Sequence, residues 1–259
     1  MISSFFFKKN LGQNFISDEG FLGGIVAQLN LTKEDTIVEV GTGAGTLTRV
    51  LARKVKRVIT YEIDRTLEPI LQKQFEGFDN IELHFADAMK VQDFPSDFRV
   101  AANIPYYITT PLILKFLAND ACKEICVLIQ EEVANRIVAK PGGKEYGALS
   151  VTLQAQADCR IIKKVPRAMF KPVPSVDSAF VVIRKTSNEQ LATSNEGFDR
   201  LVKGMFAARR KTALNALKQT FNLDTQTARD FLAGAEIGEA VRPEQITVPQ
   251  FVKLSQILP

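Results

Sequence analysis

The segment Thr36-Ile37-Val38-Glu39-Val40-Gly41-Thr42-Gly43-Ala44-Gly45-Thr46 decides the fold of this 259-residue chain. A short β-branched run is followed by three glycines that alternate with small residues, and a helix-forming stretch begins at Leu47. Glycine allows positive φ and lets the backbone approach a bound ligand closely. The segment therefore predicts a strand, a ligand-binding turn and the start of a helix, although Gly-x-Gly-x-Gly alone also occurs in dinucleotide loops and ordinary tight turns.

Around this segment, short apolar runs alternate with longer amphipathic stretches through the first two thirds of the chain. The runs are rich in Val and Ile, as is typical of parallel strands that are buried on both faces. They span 36–40, 55–61, 81–85, 99–102 and 124–129. The helix-like stretches between them span 47–54, 65–75, 110–117 and 131–139. This alternation predicts a parallel sheet with helices on both faces.

The pattern changes after Pro141-Gly142-Gly143-Lys144. Residues 149–157 and 176–184 are predicted to form two long strands, and the loop between them contains three prolines. Because no helix intervenes, we expect these strands to form an antiparallel pair at the edge of the sheet. The polar stretch 186–197 is predicted to be a linker, and 198–258 has the pattern of several short helices.

The predicted fold class is therefore α/β. A Rossmann-like domain at 1–187 is expected to contain a mostly parallel, seven-stranded sheet with an antiparallel edge strand. A small, all-helical domain is expected at 188–259, with breaks between its helices near Asn222, at 234–238 and at Pro243.

Acidic residues accompany the ends of the first three predicted strands. Glu39 lies two residues before the first glycine, Glu62 ends the second strand and Asp87 follows the third. The carboxyl ends of parallel strands face one crevice, so these side chains are expected to meet there. Glu62 can accept hydrogen bonds from ribose hydroxyls, and Asp87 can accept one from an adenine amino group. Surface acids at strand ends would explain each position singly but explain the ordered set poorly.

The spacing of the glycines favours S-adenosylmethionine (SAM) over a nicotinamide dinucleotide as the ligand of this crevice. The glycines follow Gly-x-Gly-x-Gly rather than Gly-x-Gly-x-x-Gly, and no later histidine or lysine is placed for hydride transfer. SAM also carries a sulfonium cation, which suits an acid-rich crevice.

The most specific motif is Asn103-Ile104-Pro105-Tyr106, at the end of the fourth predicted strand. Adenine N6 is a poor nucleophile because its lone pair is delocalised into the ring. The Asn103 side-chain oxygen and the Ile104 carbonyl can accept hydrogen bonds from the amine and return lone-pair density to nitrogen. Pro105 biases Ile104 away from helical geometry, and Tyr106 offers a flat face for stacking an extruded base. The motif thus predicts methyl transfer by positioning, although these residues could also merely close a buried strand.

Composition excludes several classes of protein. His84 is the only histidine, so a His-based metal site or a Ser-His-Asp triad is not expected, and we predict no metal. No run of about 18 apolar residues occurs and the N-terminus lacks the layout of a signal peptide, so we expect a cytoplasmic protein without a membrane partner.

Two clusters of basic residues lie at 160–171 and 200–218, in a chain of net charge +4. Each cluster could be a solvated face, but together they favour a polyanionic partner.

Together these motifs resemble the ribosomal RNA adenine N6,N6-dimethyltransferase family, of the type that modifies small-subunit rRNA (KsgA type). The resemblance covers nearly the whole chain. Residues 9–16 resemble the family's leading motif, and 38–48 resemble its SAM loop, although the family commonly has proline where Thr42 stands. Residues 170–178 resemble its F-x-P-x-P-x-V-D-S loop, and 206–212 resemble the basic helix start of its C-terminal domain.

The resemblance implies roles for the matching residues. Asn103, Ile104 and Tyr106 would act on the adenine, and Phe170 would stack on the base opposite Tyr106; without the family, Phe170 would more simply be a core residue. The RNA-binding residues that it implies are Arg209, Arg210 and Lys211. The cofactor-binding residues expected from motifs and resemblance are Gln13, Asn14, Ile16, Gly41, Gly43, Glu62, Ile63, Asp87, Ala88 and Asn103.

The resemblance also implies a substrate and a partner. The family transfers methyl groups from SAM, with S-adenosylhomocysteine as product, to two adjacent adenosines near the 3′ end of small-subunit rRNA. The partner would be an assembling 30S particle, with a role late in subunit biogenesis, and we expect a monomer. Three alternatives remain open: a large-subunit methyltransferase of the erythromycin-resistance type, a non-catalytic nucleic-acid-binding relative, and a small-molecule methyltransferase.

Overall fold

The computed structural model of the protein describes residues 14–186 and 196–258. Its first elements are β1 (Phe15–Ile16), α1 (Glu19–Val26), β2 (Thr36–Val40), α2 (Thr46–Ala52), β3 (Arg57–Glu62), α3 (Glu68–Gln74), β4 (Ile81–Phe85), β5 (Phe98–Asn103), α4 (Thr109–Leu117), β6 (Cys122–Gln130) and α5 (Glu131–Val138). The later elements are α6 (Ala148–Gln154), β7 (Ala157–Val165), β8 (Phe170–Lys171), β9 (Ser178–Lys185), α7 (Glu196–Ala207), α8 (Ala213–Phe221), α9 (Thr225–Gly234) and α10 (Val248–Ile257).

Seven strands form one sheet in the order β4-β3-β2-β5-β6-β9-β7. β2 pairs in parallel with β3 and β5, and the pairs β3–β4 and β5–β6 are also parallel. β9 runs antiparallel to β6, with Ser178 opposite Gln130. The predicted mostly parallel, seven-stranded sheet is confirmed, but its antiparallel strand β9 lies one place in from the edge because β7 lies outside it.

The central strands carry apolar side chains that are buried on both faces, as expected for a sheet covered on both sides. Ile37, Val38 and Val58 are fully buried. Leu22 of α1 and Leu51 of α2 join the core that includes Ile37 and Val58. This packing holds the strand ends, where the site forms, on a rigid support.

The strand predicted at 149–157 is wrong, because most of this stretch forms α6 and the strand follows it as β7. Val151 and Ala155 alternate with polar residues, as in a strand, yet they also lie one helical turn apart and share one apolar core. The Ser150 hydroxyl donates to the Arg136 carbonyl at 2.5 Å, and the Gln154 amide donates to the carbonyls of two residues near the end of α5. These tertiary contacts satisfy helix-end carbonyls, which a period-two pattern does not reveal.

The described residues divide into two compact units, 14–134 with 160–184, and 135–159 with 185–186 and 196–258. In the second unit, α7 to α10 surround a core that includes Leu201, Met205 and Phe251. Asn222 ends α8 in the left-handed conformation, at the predicted break. The second unit includes residues 135–159, whereas the predicted domain boundary at 187 assigns them to the catalytic domain. That boundary also divides catalysis from RNA binding, and this division of function stays a prediction. None of the described helices is long and apolar enough to span a membrane.

Candidate active site

The carboxyl ends of β2, β3, β4 and β5 surround a cavity of about 290 Å³. This is the position where parallel α/β sheets commonly hold their ligands. The structure brings most of the predicted site residues together here, and the predicted roles of those residues stay predictions. The predicted residues that line the cavity are Asn14, Gly41, Gly43, Glu62, Ile63, Asp87, Ala88, Asn103, Ile104 and Tyr106.

The glycine turn has positive φ at three positions, with values of 82° at Gly41, 57° at Gly43 and 75° at Gly45. A Cβ atom at Gly41 would lie 3.2 Å from the Asn103 carbonyl oxygen. A Cβ atom at Gly43 would collide with the ring of Phe15, a residue to which the sequence analysis assigned no role. The turn therefore requires glycine for its backbone conformation and for close packing as well as for any ligand.

Glu62 links the glycine turn to the end of β3. Its Oε2 accepts the Gly43 N–H at 2.9 Å, and its Oε1 accepts the Asp64 N–H at 2.9 Å. The residue is only 5% exposed, and this burial raises the pKa of its carboxyl despite the hydrogen bonds. A third backbone hydrogen bond, from Ile63, reaches the same carboxyl. The two carboxylate oxygens offer about four acceptor positions in all, so Glu62 can still receive a hydroxyl donor from a ligand.

Asp87 and Ala88 lie in the turn that follows β4. Asp87 Oδ1 accepts the Met89 N–H at 3.0 Å, and the Asp87 carbonyl accepts the Lys90 N–H at 2.9 Å. A side chain that bonds the backbone two residues later stabilises a turn of this kind. Ile63, which follows β3, is 53% exposed and presents an apolar surface at the same cavity.

The Asn103 side chain is oriented by a hydrogen bond from its Nδ2 to the Asn14 carbonyl at 2.8 Å. One of the two N–H donors of the amide is therefore used within the protein, and Oδ1 remains as an acceptor on a residue that lines the cavity. The side chain of Ile104 is fully buried, which anchors the backbone at this point. Pro105 has φ of −53° and ψ of 130°, and its ring disfavours helical geometry at Ile104.

Tyr106 is held by Ser178, whose Oγ lies 2.8 Å from the tyrosine hydroxyl. Ser178 is fully buried at the start of β9 and therefore fixes the outer end of the ring. Burial raises the pKa of the Tyr106 phenol, which keeps it protonated at neutral pH. Ser178 belongs to the V-D-S motif, but nothing in the spacing of that motif indicates this contact.

Phe170 and Ile16 do not line the main cavity. They are opposite each other in the β1–β8 ladder, belong to the apolar core and are only 1% and 5% exposed. Ile16 does line a smaller cavity that it shares with Glu39 and Asn103. Phe170 lies where an ordinary core aromatic would lie, and its stacking on adenine stays a prediction. Gln13 lies outside the described residues.

Glu39 is the centre of a buried hydrogen-bond network behind the glycine turn. Its Oε2 accepts the hydroxyls of Thr48 and Thr60 at 2.6 Å and 2.8 Å, and the Thr60 and Thr42 hydroxyl oxygens lie 2.6 Å apart. Burial raises the pKa of the Glu39 carboxyl to about 8, against the opposing effect of the two threonine hydroxyls. Glu39 is therefore mostly neutral at pH 7, and Thr42 joins the network through Thr60.

The predicted RNA-binding residues lie in the second unit, just after α7. Arg210 and Lys211 are exposed, and Lys211 Nζ donates to a side-chain oxygen of Gln219 at 2.7 Å. Arg209 is half-buried: it donates to the Lys144 carbonyl at 3.1 Å, and its Nε lies 3.7 Å from a carboxylate oxygen of Glu244. Arg209 thus has contacts that stabilise the helical unit, whereas the other two cations face solvent.

Comparison with known proteins identifies close relatives over almost the full chain. A family model described as "Ribosomal RNA adenine dimethylase" matches residues 4–258. A protein named ribosomal RNA small subunit methyltransferase A from Clostridioides difficile (strain 630) is 40% identical over 265 residues, which cover 98% of this chain and 92% of the relative. A protein of the same name from Ligilactobacillus salivarius (strain UCC118) is 38% identical over 266 residues, covering 97% and 90%.

Two solved structures share the fold over most of the chain. A dimethyladenosine transferase from Plasmodium falciparum matches with a TM-score of 0.82 at 27% identity, covering 93% of this chain and 95% of the other. The 23S rRNA methyltransferase ErmE matches with a TM-score of 0.76 at 24% identity, covering 93% and 98%. The likeness to ErmE concerns the fold alone.

We predict that Glu39→Gln makes folding stability less dependent on pH. The Glu39 carboxyl has a pKa of about 8 in the folded protein and near 4.5 in the unfolded chain. Its ionisation therefore lowers the stability of wild type as the pH rises between these two values. Glutamine cannot ionise, so the free energy of unfolding of the variant should rise relative to that of wild type by on the order of 1 kcal/mol per pH unit in this range. Urea unfolding measures the difference, with Glu82→Gln, an exposed acid paired with Arg57, as control. Parallel pH profiles for Glu39→Gln and wild type would contradict a buried, neutral Glu39.

Proposed function

We propose that this protein transfers methyl groups from SAM to N6 of adenine in small-subunit rRNA. The chain belongs to the ribosomal RNA adenine dimethylase family. The observation that carries this proposal is the geometry of Asn103. Its amide nitrogen donates to the Asn14 carbonyl, which leaves the amide oxygen as an acceptor, and the residue lines a cavity together with Glu62 and Asp87. An amide acceptor beside an acidic nucleoside-sized cavity fits an amine substrate and an adenosine-containing cofactor.

The lining of the cavity offers acceptors that SAM would need. Gly41 keeps the backbone free of a side chain at the cavity, and Glu62 and Asp87 offer acceptors for hydroxyl and amino groups. When bound, SAM would supply an electrophilic methyl group on a sulfonium and leave as S-adenosylhomocysteine. The residues that we propose to hold it are Gln13, Asn14, Ile16, Gly41, Gly43, Glu62, Ile63, Asp87, Ala88 and Asn103.

The remaining chemistry is positioning by residues of this chain. Asn103 Oδ1 and the Ile104 carbonyl accept the hydrogens of the unmethylated adenine amine, which returns lone-pair density to N6 and directs it. The amine releases one proton to solvent for each methyl group that it gains. Tyr106, fixed by Ser178, supports the base by stacking. We propose Phe170 as a second stacking ring that leaves its core position when RNA binds. The proposed arrangement requires neither a histidine nor a metal.

Identity favours the small subunit as the substrate. The relatives at 40% and 38% identity are named small subunit methyltransferases, whereas ErmE is 24% identical. We therefore propose dimethylation of two adjacent adenosines near the 3′ end of 16S rRNA within an assembling 30S particle, and a role in subunit biogenesis. Because the substrate is an assembling ribosomal subunit, we expect a cytoplasmic enzyme. We also propose that the protein is a monomer.

Under-methylated 30S and 50S particles, supplied with methyl-labelled SAM, test the substrate directly. We expect label in the 30S particle alone, on two adjacent adenosines that mass spectrometry identifies as N6,N6-dimethylated. Fully methylated 30S particles serve as the control and should accept no label. Label only in 50S would favour the erythromycin-resistance type of enzyme and overturn the proposal.

We predict that Asn103→Ala lowers kcat for methyl transfer by at least about 100-fold, as loss of one precisely placed hydrogen-bonding group does in other enzymes. Binding of S-adenosylhomocysteine should be largely retained, because the carboxylates that we propose to hold adenosine are unchanged. Single-turnover methylation and calorimetry measure the two effects. Asn119→Ala, in a loop outside the cavity lining, is the matched control. Equal turnover by Asn103→Ala and wild type would refute the role of the amide.

We propose 1–187 as the catalytic domain and 188–259 as the RNA-binding domain, with Arg209, Arg210 and Lys211 as phosphate contacts. The double variant Arg210→Ala/Lys211→Ala should bind 30S particles more weakly and flatten the plot of log affinity against log salt by about 0.7 to 0.9 per lost contact. Filter binding at several salt concentrations measures this.

The matched control for that variant is Arg229→Ala/Lys253→Ala, which removes the same charge from the same unit. Its two cations already pair with Glu239 and Glu236, so little effect on RNA binding is expected. An unchanged affinity and salt slope for Arg210→Ala/Lys211→Ala would rule out contacts between these two cations and phosphate.

A further inference from the structure

A lysine behind the cavity wall clamps the turn that carries Asp87. We propose that Lys115, on α4, is a positioning residue for the adenine half of the cofactor site. Its ammonium group holds the backbone of residues 88–91 and thereby orients the Asp87 carboxylate. This inference rests on the proposed function, because it assumes that Asp87 receives the adenine amino group of SAM.

The clamp consists of three hydrogen bonds from one ammonium group. Lys115 Nζ donates to the carbonyl oxygens of Ala88 at 3.1 Å, Met89 at 2.7 Å and Val91 at 2.5 Å. An ammonium group has three N–H donors, so these three acceptors use its full capacity. Carbonyl dipoles that converge on one point repel each other unless a cation lies between them. The turn therefore depends on the charge of Lys115 for this backbone conformation.

Met89 connects the clamp to Asp87. Its carbonyl accepts from Lys115, and its N–H donates to Asp87 Oδ1 at 3.0 Å. Ala88, whose carbonyl also accepts from Lys115, lies directly between Asp87 and Met89, and all three residues line the cavity. A shift of the 88–91 backbone would thus move the carboxylate that faces the ligand.

The surroundings of Lys115 make the clamp stronger than a surface contact. Its Nζ lies 5.5 Å from the centre of the Phe94 ring, and Phe94 itself packs against Phe98 and Phe116. Lys115 is half-buried, and the loss of water lowers its pKa while the nearby charge of Asp87 opposes that effect. Charge-assisted hydrogen bonds in such a partly dry environment hold their geometry well.

The proposal is tested with Lys115→Met, which keeps the length and apolar stem of the side chain but removes every donor. The matched control is Lys123→Met, the same change at an exposed lysine that pairs with Asp97. We expect Lys115→Met to bind S-adenosylhomocysteine about tenfold more weakly by calorimetry, a loss of about 1.4 kcal/mol. KM for SAM should rise by a similar factor, while kcat and KM for the 30S particle stay close to wild type.

Amide hydrogen exchange supplies a readout that does not depend on activity. Exchange at residues 88–91 should accelerate in Lys115→Met, while exchange at 41–45 remains as in wild type. A role in general stability would accelerate both segments and would leave the ratio of the two KM values unchanged. Equal affinity for S-adenosylhomocysteine in Lys115→Met and wild type would overturn the proposal.

A double-mutant cycle with Asp87→Ala tests whether Lys115 acts through the carboxylate. The effect of Lys115→Met on affinity should largely disappear in the Asp87→Ala background, and full additivity would contradict the coupling. If Lys115→Met does not fold, Lys115→Gln retains two donors for the three carbonyls and should show a smaller loss of affinity. Failure of wild type itself to bind S-adenosylhomocysteine would instead count against the proposed function.

Discussion

Parallel pairing of β2 with β3 and β5 is the constraint on which the candidate site depends, because it brings the carboxyl ends of these strands to one edge of the sheet. The Gly41 N–H continues the pairing beyond β2 by donating to the Tyr61 carbonyl at 2.9 Å, and the Gly43 N–H donates to Glu62. The glycine turn is thus bonded twice to the end of β3. The turn and the Glu62 acceptor therefore form one unit that a ligand meets already assembled.

The polar groups of the site use some of their hydrogen-bonding positions on the protein and keep others for a ligand. Asn103 donates to Asn14 and retains its oxygen, and Asp87 accepts from Met89 with one oxygen and retains the other. The hydroxyl of Tyr106 is held by Ser178, which leaves the ring face available. Groups that are oriented before a substrate arrives need no reorganisation during the reaction, and this preorganisation suits a transfer that depends on positioning.

The three ordered acids at the strand ends differ in their electrostatic environment. Burial raises the pKa of Glu39 to about 8, so this residue serves as a neutral member of the threonine network behind the turn. Glu62 and Asp87 are the carboxyl groups that line the main cavity itself. Thr42 joins this network through Thr60, whose hydroxyl oxygen lies 2.6 Å from its own.

The strand, turn and helix start at 36–46 could be predicted from the sequence because the turn requires positive φ at its glycines. The alternation of parallel strands with helices, and the side chains at the strand ends, could be predicted from short hydrophobic periodicities. The strand predicted at 149–157 is wrong, because packing in the helical core and side-chain contacts to α5 favour a helix there despite the alternating pattern. The burial of Phe170, the bond between Tyr106 and Ser178 and the clamp by Lys115 were decided only by the tertiary structure. Each joins segments that are far apart in the chain, and only the packing of the whole sheet brings such segments into contact.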